Sequence, residues 1–285
     1  MNGRNRLVGV ASMALMLLAT VGMAPGCGRN GPPKPPFAVT STVVSHETTK
    51  PMSIWAPNAG GTRPVVYMLH GINGSPQDME LLARTVAEQG YVVFGLDWDD
   101  NGNPYRDIAC GYHYGQSIAA EHGGDANRPA VVGYSQGATY ALLGATSQEV
   151  GARVDTFDPC SVEQGKVVAP VGQALPEVLV LIAPCLFEYQ GKAVTPEVSG
   201  GNTSLPITVV SGEDDTVCKP WQQKEAVTFL QAAGYETRLV SVPAADHHTL
   251  VYQEMVGDQS VPRPDSPAGQ RTTRAILDAV KAAGW

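Results

Sequence analysis

The chain has 285 residues, enough for one large α/β domain or two small domains. Its hydrophobic fraction of 43% is sufficient for a packed core, and its charged fraction of 16% is too low to indicate large-scale disorder. The formal net charge of −8 argues against nucleic acid as a partner, because surfaces that bind DNA or RNA are basic.

The first 26 residues have the pattern of an export signal. Arg4 and Arg6 precede an uncharged apolar run from Leu7 to Ala24. The run ends in Ala24-Pro25-Gly26-Cys27, which resembles the lipobox of bacterial lipoproteins. The resemblance implies that Cys27 is acylated and anchors the mature protein at the outer face of a membrane of the cell envelope. Secretion after a nearby cleavage, or an uncleaved membrane-spanning segment, is the alternative.

Residues 27–36 form a proline-rich linker, in which four prolines surround Lys34. Such a segment is extended and stiff, so it separates the anchor from the domain that follows. We expect the folded domain to comprise residues 37–285.

Strand and helix patterns alternate from Phe37 onward, which predicts a mostly parallel, doubly wound α/β sheet with flanking helices. An antiparallel hairpin opens the domain and buried apolar strands follow it. The predicted strands are Phe37–Ser45, Met52–Ala56, Pro64–Leu69, Tyr91–Leu96, a strand that includes Ala130–Val132, Val178–Ala183, Ile207–Ser211 and Thr237–Val242. The predicted helices are Asp78–Gly90, a helix after Gly137, Pro220–Ala232 and Ala268–Ala283. The irregular segment Val150–Pro176 is either a small cap over the site or a disordered insertion.

The motif Gly133-Tyr134-Ser135-Gln136-Gly137 lies between a predicted strand and a predicted helix. A Gly-x-Ser-x-Gly turn of this kind holds a serine on a strained corner, where its hydroxyl projects above the sheet. The pentapeptide alone is also compatible with an ordinary glycine-rich turn. Its position between a strand and a helix favours the nucleophile interpretation.

A serine nucleophile needs a base, and the base needs an acid that orients it. Two later strands end in suitable residues, at the edge where open α/β sheets place their sites. The candidate acids are Asp214 and Asp215, and the candidate bases are His247 and His248. Acidic residues in a turn are more often solvent-exposed turn formers than catalytic acids.

The region from Phe37 to Trp285 resembles the α/β-hydrolases, in particular the dienelactone hydrolases and the cutinase-like polyester esterases. These carry their triads in the order Ser…Asp…His. The resemblance implies Asp215 as the acid and His247 as the base for Ser135. It further implies that His70-Gly71 begins an oxyanion loop, in which the N–H of Ile72 would act with that of Gln136, and that His70 braces the loop.

Four cysteines remain besides Cys27, and in an exported protein they indicate two disulfides, although buried free thiols are the alternative. Cys185 and Cys218 follow strands that end at one sheet edge, so a bridge between them would restrain the acid loop. Cys110 and Cys160 would then pair, which would connect the loop after Trp98 to the cap.

Two tryptophans, Trp98 and Trp221, flank loops at the catalytic edge, where they line the substrate pocket or serve only packing. No His-x3-His or Cys-x2-Cys spacing indicates a zinc site, so we expect neither a metal nor an organic cofactor.

The sequence therefore predicts a monomeric, membrane-tethered serine hydrolase that acts on small or polymeric carboxylic esters. A thioesterase, a peptidase or an acyltransferase would use the same triad. A lipid-anchored binding protein with a decayed triad is the alternative from a different class, and the substrate itself rests on analogy.

Overall fold

The computed structural model describes residues 35–46, 49–99, 102, 104–146, 176–186, 188–189, 192–193 and 203–284. An eight-stranded sheet runs through this part of the protein in the order β1-β2-β4-β3-β5-β6-β9-β10. Its strands are β1 Val39–Val44, β2 Met52–Pro57, β3 Arg63–Leu69, β4 Val92–Leu96, β5 Gly124–Tyr134, β6 Val178–Ile182, β9 Ile207–Gly212 and β10 Thr237–Val242. Two small hairpins accompany it, one formed by β7 Glu188–Tyr189 and β8 Lys192–Ala193, the other by β11 Gln253–Val256 and β12 Gln259–Pro262.

Six of the eight strands pair only with parallel neighbours or, for β4, also with β2; β2 alone runs in the opposite direction to the other seven. Strand β1 pairs with β2 in an antiparallel hairpin, and β2 pairs antiparallel with β4. All remaining neighbours in the sheet are parallel. The prediction of an opening hairpin followed by a mostly parallel sheet is therefore confirmed.

Helices cover both faces of the sheet, as a doubly wound arrangement requires. They are α1 Glu80–Ala87, α2 Pro104–Ile118, α3 Gln136–Thr146, α4 Pro220–Ala232 and α5 Pro267–Ala282. Alternate residues of each strand point to opposite faces. Met68 thus packs in the core beneath α1 and α5, whereas Tyr67 packs in the core beneath α2, α3 and α4. The inner strands β4, β6 and β9 are buried at every position, and they support the loops at the carboxyl edge of the sheet.

Helix α2 was not expected from the sequence. Its residues include Gly111 and Gly115, and glycine in a helix interior is unfavourable. A Cβ atom on Gly115 would lie 2.6 Å from Cε1 of Tyr67, so close packing of the helix against β3 requires a glycine there. Cys110, expected in a loop, lies buried in this helix instead.

Several predictions fall outside the described residues. They concern the export signal, Cys27, most of the linker, Cys160 and all of the Val150–Pro176 segment except Pro176. Within the part that the structure describes, no helix has the length and apolar character needed to cross a membrane.

Candidate active site

Ser135 lies at the sharp corner between β5 and α3. Its φ angle is 54°, a left-handed conformation that residues other than glycine adopt only under strain. The glycines on either side make the corner sterically feasible: a Cβ on Gly133 would collide with the backbone of Ala138, and one on Gly137 with the carbonyl of His70. The N–H of Ser135 donates to the carbonyl of Ile182 at 2.8 Å, which ties the corner to the adjacent strand.

Ser135, His247 and Asp215 form a continuous hydrogen-bonded series. Ser135 Oγ lies 3.0 Å from His247 Nε2, and His247 Nδ1 lies 2.8 Å from Asp215 Oδ2. All three residues are at least 96% buried. Since Nδ1 faces a carboxylate, it carries the ring proton, and Nε2 is then free to accept the proton of the serine hydroxyl.

The structure distinguishes between the two candidate acids. The Asp215 side chain is fully buried, and its Oδ1 accepts the N–H groups of Val217 and Cys218, both at 2.9 Å. Asp214 is exposed, and its N–H donates to the carbonyl of Ala245 at 2.9 Å. Asp215 is therefore oriented by its own turn, whereas Asp214 connects the acid loop to the loop that carries the histidine.

The histidine loop is organised by an Asx turn. Asp246 Oδ1 accepts the N–H groups of His248 and Thr249, at 2.9 Å and 2.8 Å. This loop approaches the acid loop so closely that a Cβ on Gly212 would lie 2.5 Å from the carbonyl oxygen of Ala245. The requirement for glycine at the end of β9 thus follows from the contact of two functional loops.

The structure also distinguishes the two histidines. His247 is buried between its two partners, and the His248 ring stands edge-on to it with the ring centroids 5.5 Å apart. Burial lowers the pKa of His248, and the neighbouring His247 lowers it further, so His248 is uncharged at neutral pH. No hydrogen bond of the described residues joins the His248 ring to Ser135.

Tyr134 packs beside the proposed base. Its ring lies 5.0 Å from that of His247, and its Cε1 would lie 3.2 Å from a Cβ on Gly71. Burial raises the pKa of Tyr134 well above its ordinary value, and the nearby carboxylates, Asp215 foremost, raise it further. The phenol is therefore neutral and forms an uncharged support for the imidazole.

The loop that follows β3 is held by His70. Its Nδ1 lies 2.7 Å from the carbonyl oxygen of Gly71, and its Nε2 lies 3.2 Å from Asp97 Oδ1. Both neighbours are acceptors, so the two hydrogen bonds form together only when both ring nitrogens carry protons. Ile72, the expected oxyanion donor, is partly exposed in this loop. Gln136 is the first residue of α3, so its N–H has no acceptor within the helix.

The two tryptophans differ in their positions. Trp98 is 4% exposed and stacks on the His70 ring, with the centroids 4.8 Å apart and the planes 5° from parallel. Trp221 is 44% exposed near the start of α4. Of the two interpretations, Trp98 fits packing behind the oxyanion loop, whereas Trp221 is accessible from solvent.

Sequence reasoning missed Asp97 and Tyr140. Asp97 follows β4 directly, and an acidic residue at the carboxyl end of a buried strand was the available signal. Its Oδ1 accepts the Trp98 N–H as well as facing His70. Tyr140 lies one turn after Gln136, whose Nε2 donates to the Tyr140 hydroxyl at 2.8 Å. That spacing of four residues was the signal for this contact.

A disulfide connects Cys185 and Cys218, as the sequence predicted, with the Cα atoms 4.9 Å apart. It joins the segment after β6 to the turn that contains Asp215. Cys110 is also disulfide-bonded. Its predicted partner, Cys160, lies outside the described residues.

The described residues contain no cluster of His, Cys, Asp or Glu side chains that could hold a metal ion. The arrangement that they do contain is a hydroxyl, a base within reach of it, and a buried acid that orients the base. Chemically, this combination can activate a serine for attack on a carbonyl carbon.

Comparison with known proteins gives structural matches only. No family model and no curated protein matches the chain. Esterase B of Lactobacillus rhamnosis is 17% identical, with a TM-score of 0.67 and 87% of each chain covered. A Thermogutta terrifontis esterase, solved with butyrate bound, is 18% identical, with a TM-score of 0.63, 86% of this chain and 94% of that chain covered. A Pyrobaculum calidifontis esterase is 16% identical, with a TM-score of 0.61, and the match covers 87% of this chain and 85% of that chain. With the strand order described above, these similarities show that the chain has the α/β-hydrolase fold.

Proposed function

We propose that the protein hydrolyses carboxylic esters through an acyl-enzyme intermediate on Ser135. The observation that carries the proposal is the series Ser135 Oγ, His247 and Asp215, with distances of 3.0 Å and 2.8 Å. It occurs at a strained strand-to-helix corner, on a fold shared with solved esterases. Intact geometry of all three groups argues against a decayed triad, because a binding protein would not need it.

In the first half of the reaction, His247 Nε2 takes the Ser135 proton while Oγ attacks the ester carbonyl carbon. Asp215 holds the Nδ1–H and stabilises the imidazolium that forms. The N–H groups of Ile72 and Gln136 bind the oxyanion. The tetrahedral intermediate then collapses, and His247 donates its proton to the departing alcohol.

In the second half, a water molecule takes the place of the alcohol. His247 accepts a proton from this water as its oxygen attacks the acyl carbon. Collapse of the second tetrahedral intermediate breaks the bond to Ser135 Oγ, which regains its proton from His247. The product is the free carboxylic acid, and the residues of the chain return to their starting state.

Short acyl groups are the proposed substrates. Two structures of the Thermogutta terrifontis esterase hold butyrate and propionate, and one of esterase B from Lactobacillus rhamnosis was inhibited by a tributyrin phosphonate. We therefore extend the proposal to esters of acids the size of propionate and butyrate. Longer chains serve as the comparison in the test.

The test uses the purified protein with p-nitrophenyl butyrate and a fluorophosphonate probe, beside a Ser135→Ala variant. We expect turnover and labelling in the wild type, and loss of both in the variant. Octanoate and palmitate esters, a butyryl thioester and a butyramide then define chain length and bond type. Absence of both labelling and turnover in the folded wild type would contradict the proposal, and preference for the thioester or amide would correct the substrate class.

A further inference from the structure

The two proposed oxyanion donors come from separate parts of the chain. Ile72 lies in the loop after β3, and Gln136 begins α3. An oxyanion hole is effective only when both N–H groups keep their positions relative to the serine, since small displacements of catalytic groups cost large factors in rate. The elements that hold these two donors at a constant spacing are therefore part of the machinery.

Backbone contact provides one connection between the two parts. A Cβ on Gly137 would collide with the carbonyl of His70, and a Cβ on Gly71 would lie 3.3 Å from that of Ser135. The two backbones therefore lie close together, and repulsion between them opposes movement of the loop toward the serine corner. These contacts do not prevent the loop from moving away, because van der Waals repulsion acts in one direction only.

Side chains provide a second connection, which begins at Gln136. Its Nε2 donates to the Tyr140 hydroxyl at 2.8 Å. The Tyr140 ring meets the Trp98 ring edge-to-face, with the centroids 4.9 Å apart and the planes at 83°. This is a favourable geometry for an aromatic pair. The first half of the connection therefore extends from α3 to the end of β4.

The second half extends from Trp98 to the oxyanion loop. Trp98 stacks on His70, and Asp97 Oδ1 holds both of them, because it accepts the Trp98 backbone N–H at 2.9 Å and lies 3.2 Å from His70 Nε2. His70 Nδ1 then contacts the carbonyl oxygen of Gly71 at 2.7 Å. The carbonyl of Gly71 and the N–H of Ile72 are parts of the same planar peptide group. The connection therefore ends at the proposed donor itself.

We propose that Trp98 and Tyr140 are positioning residues that hold the two halves of the oxyanion hole at a constant spacing. This inference rests on the proposed function and assigns Trp98 a role other than lining the substrate pocket. Both act through other groups: Tyr140 through Gln136, and Trp98 through His70. Their loss lowers stabilisation of the tetrahedral intermediate and leaves substrate binding in the ground state nearly unchanged.

The indole N–H of Trp98 takes no part in this connection, so the role of the aromatic ring can be tested separately. This N–H is buried and has no hydrogen-bond partner in the described part of the protein. Trp98→Phe keeps one aromatic ring for contact with His70 and Tyr140, and it loses the second ring of the indole together with this unpaired N–H. Trp98→Leu removes the ring. The proposal therefore predicts a smaller loss of kcat for Trp98→Phe than for Trp98→Leu. A strict requirement for tryptophan would predict the same loss for both.

The hydrogen bond between Gln136 and Tyr140 can be removed from either end. Tyr140→Phe deletes the hydroxyl, and Gln136→Met deletes the side-chain amide while it keeps the backbone N–H. A matched control is Gln231→Met, because Gln231 Nε2 donates to the Thr237 carbonyl at 2.8 Å. That contact lies at the start of β10, at the opposite edge of the sheet from Ser135.

The experiment measures kcat and KM for p-nitrophenyl butyrate, together with the inhibition constant of a butyl trifluoromethyl ketone. This ketone forms a tetrahedral adduct with the serine, whose oxygen occupies the oxyanion hole. For Tyr140→Phe and Gln136→Met we expect kcat to fall roughly five- to tenfold and KM to change less than about twofold. The inhibition constant should rise in parallel with the loss of kcat. For the double variant we expect a loss close to that of either single variant, because both remove one bond.

We expect a loss of at least roughly tenfold in kcat for Trp98→Leu and a smaller loss for Trp98→Phe, which keeps part of the ring contact, whereas Gln231→Met should stay within about twofold of the wild type. Unchanged kcat in Tyr140→Phe, or a loss of kcat without weaker inhibition, would overturn the inference. If the wild type hydrolyses esters and Ser135→Ala does not, such a result would overturn the inference and leave the proposed function intact. Thermal unfolding of each variant identifies any loss of activity that arises from unfolding.

Discussion

His247 Nε2 lies 3.0 Å from Ser135 Oγ, although the two residues are 112 positions apart in the chain. Parallel strands make the contact possible. Ser135 follows β5 and His247 lies beyond β10, and the carboxyl ends of both strands lie at the same edge of the sheet. Strands β6 and β9 lie between them, and the acid loop that follows β9 supplies the third member.

The acid can be tested by a neighbouring pair of substitutions. Asp215→Asn should lower kcat by about 10³- to 10⁴-fold, because an amide no longer holds the imidazole in the required tautomer. Asp214→Asn should change kcat less than about twofold, since Asp214 is exposed and contributes its backbone N–H to the histidine loop. Steady-state kinetics of both variants provides the measurement. Similar losses in the two would show that the assignment of Asp215 is wrong.

The base can be tested in the same way. His247→Gln should abolish measurable hydrolysis, because no other described side chain hydrogen-bonds to the Ser135 hydroxyl. His248→Gln should keep kcat within about threefold of the wild type, because its ring only stands edge-on to His247. Labelling by a fluorophosphonate should follow the same pattern. An inactive His248→Gln variant together with an active His247→Gln variant would show that His248, and not His247, is the base.

Stability should depend on pH through His248. Burial and the adjacent His247 lower its pKa from the ordinary 6.5, so the unfolded chain binds this proton more readily than the folded protein does. Stability that is present above about pH 6.5 is therefore lost as the pH falls toward the lowered value.

His248→Gln removes that dependence. We expect the Tm of the wild type to fall relative to that of the variant between pH 7.5 and pH 5, and the difference in Tm to stay constant between pH 7.5 and pH 8.5. Scanning fluorimetry at these three pH values gives the result. A constant difference over the whole range would exclude a contribution of His248 to acid sensitivity.

The Cys185–Cys218 bridge should matter for stability and for catalysis. It closes a loop over a separation of 33 residues, for which the chain-entropy model gives about 3–4 kcal/mol. The double variant Cys185→Ser/Cys218→Ser should therefore lower Tm by several degrees. It should also lower kcat by several-fold, because the Cys218 N–H orients Asp215.

Reducing agent provides the control for this pair. Dithiothreitol should lower the Tm of the wild type, and any further effect on the double variant reports the bond at Cys110. Peptide mapping under non-reducing conditions should show Cys185 linked to Cys218. A double variant with the wild-type Tm and kcat would show that the bridge does not restrain the acid loop.

Lipidation of Cys27 stays a prediction of the sequence. Bacterial cells grown with an alkyne analogue of palmitate should incorporate it into the wild type and not into a Cys27→Ala variant. The wild type should also fractionate with membranes. Release of an unlabelled protein into the medium would favour plain secretion instead.

The three residues proposed as serine nucleophile, acid and base could be selected from the sequence because each leaves a local signature. Ser135 lies in a pentapeptide with two glycines, and the steric contacts of Gly133 and Gly137 explain why no larger residue stands there. Asp215 and His247 each follow a β-branched strand, and their order along the chain restricts their roles. Burial separated Asp215 from Asp214, in agreement with the choice that the family resemblance implied.

Helix α2 could not be predicted, because its glycines and aromatic residues have low helix propensity. The helix forms where Gly115 allows its backbone to approach Tyr67, which is a contact between residues 48 positions apart. Tertiary packing overrides local preference at such a site. The role of Trp98 was undetermined for the same reason, because nothing local indicates that it stacks on His70.

The sequence by itself determined most of the alternation of strands and helices, the position of the proposed nucleophile, and the order along the chain of the residues proposed to act with it. These follow from local patterns, namely hydrophobic period, glycine placement and chain order. Only the tertiary structure decided which carboxylate is buried, which histidine reaches the serine, and which side chains connect Gln136 to the oxyanion loop. Such features depend on distances between segments far apart in the chain, and those distances are defined only when the sheet brings its strand ends to one edge.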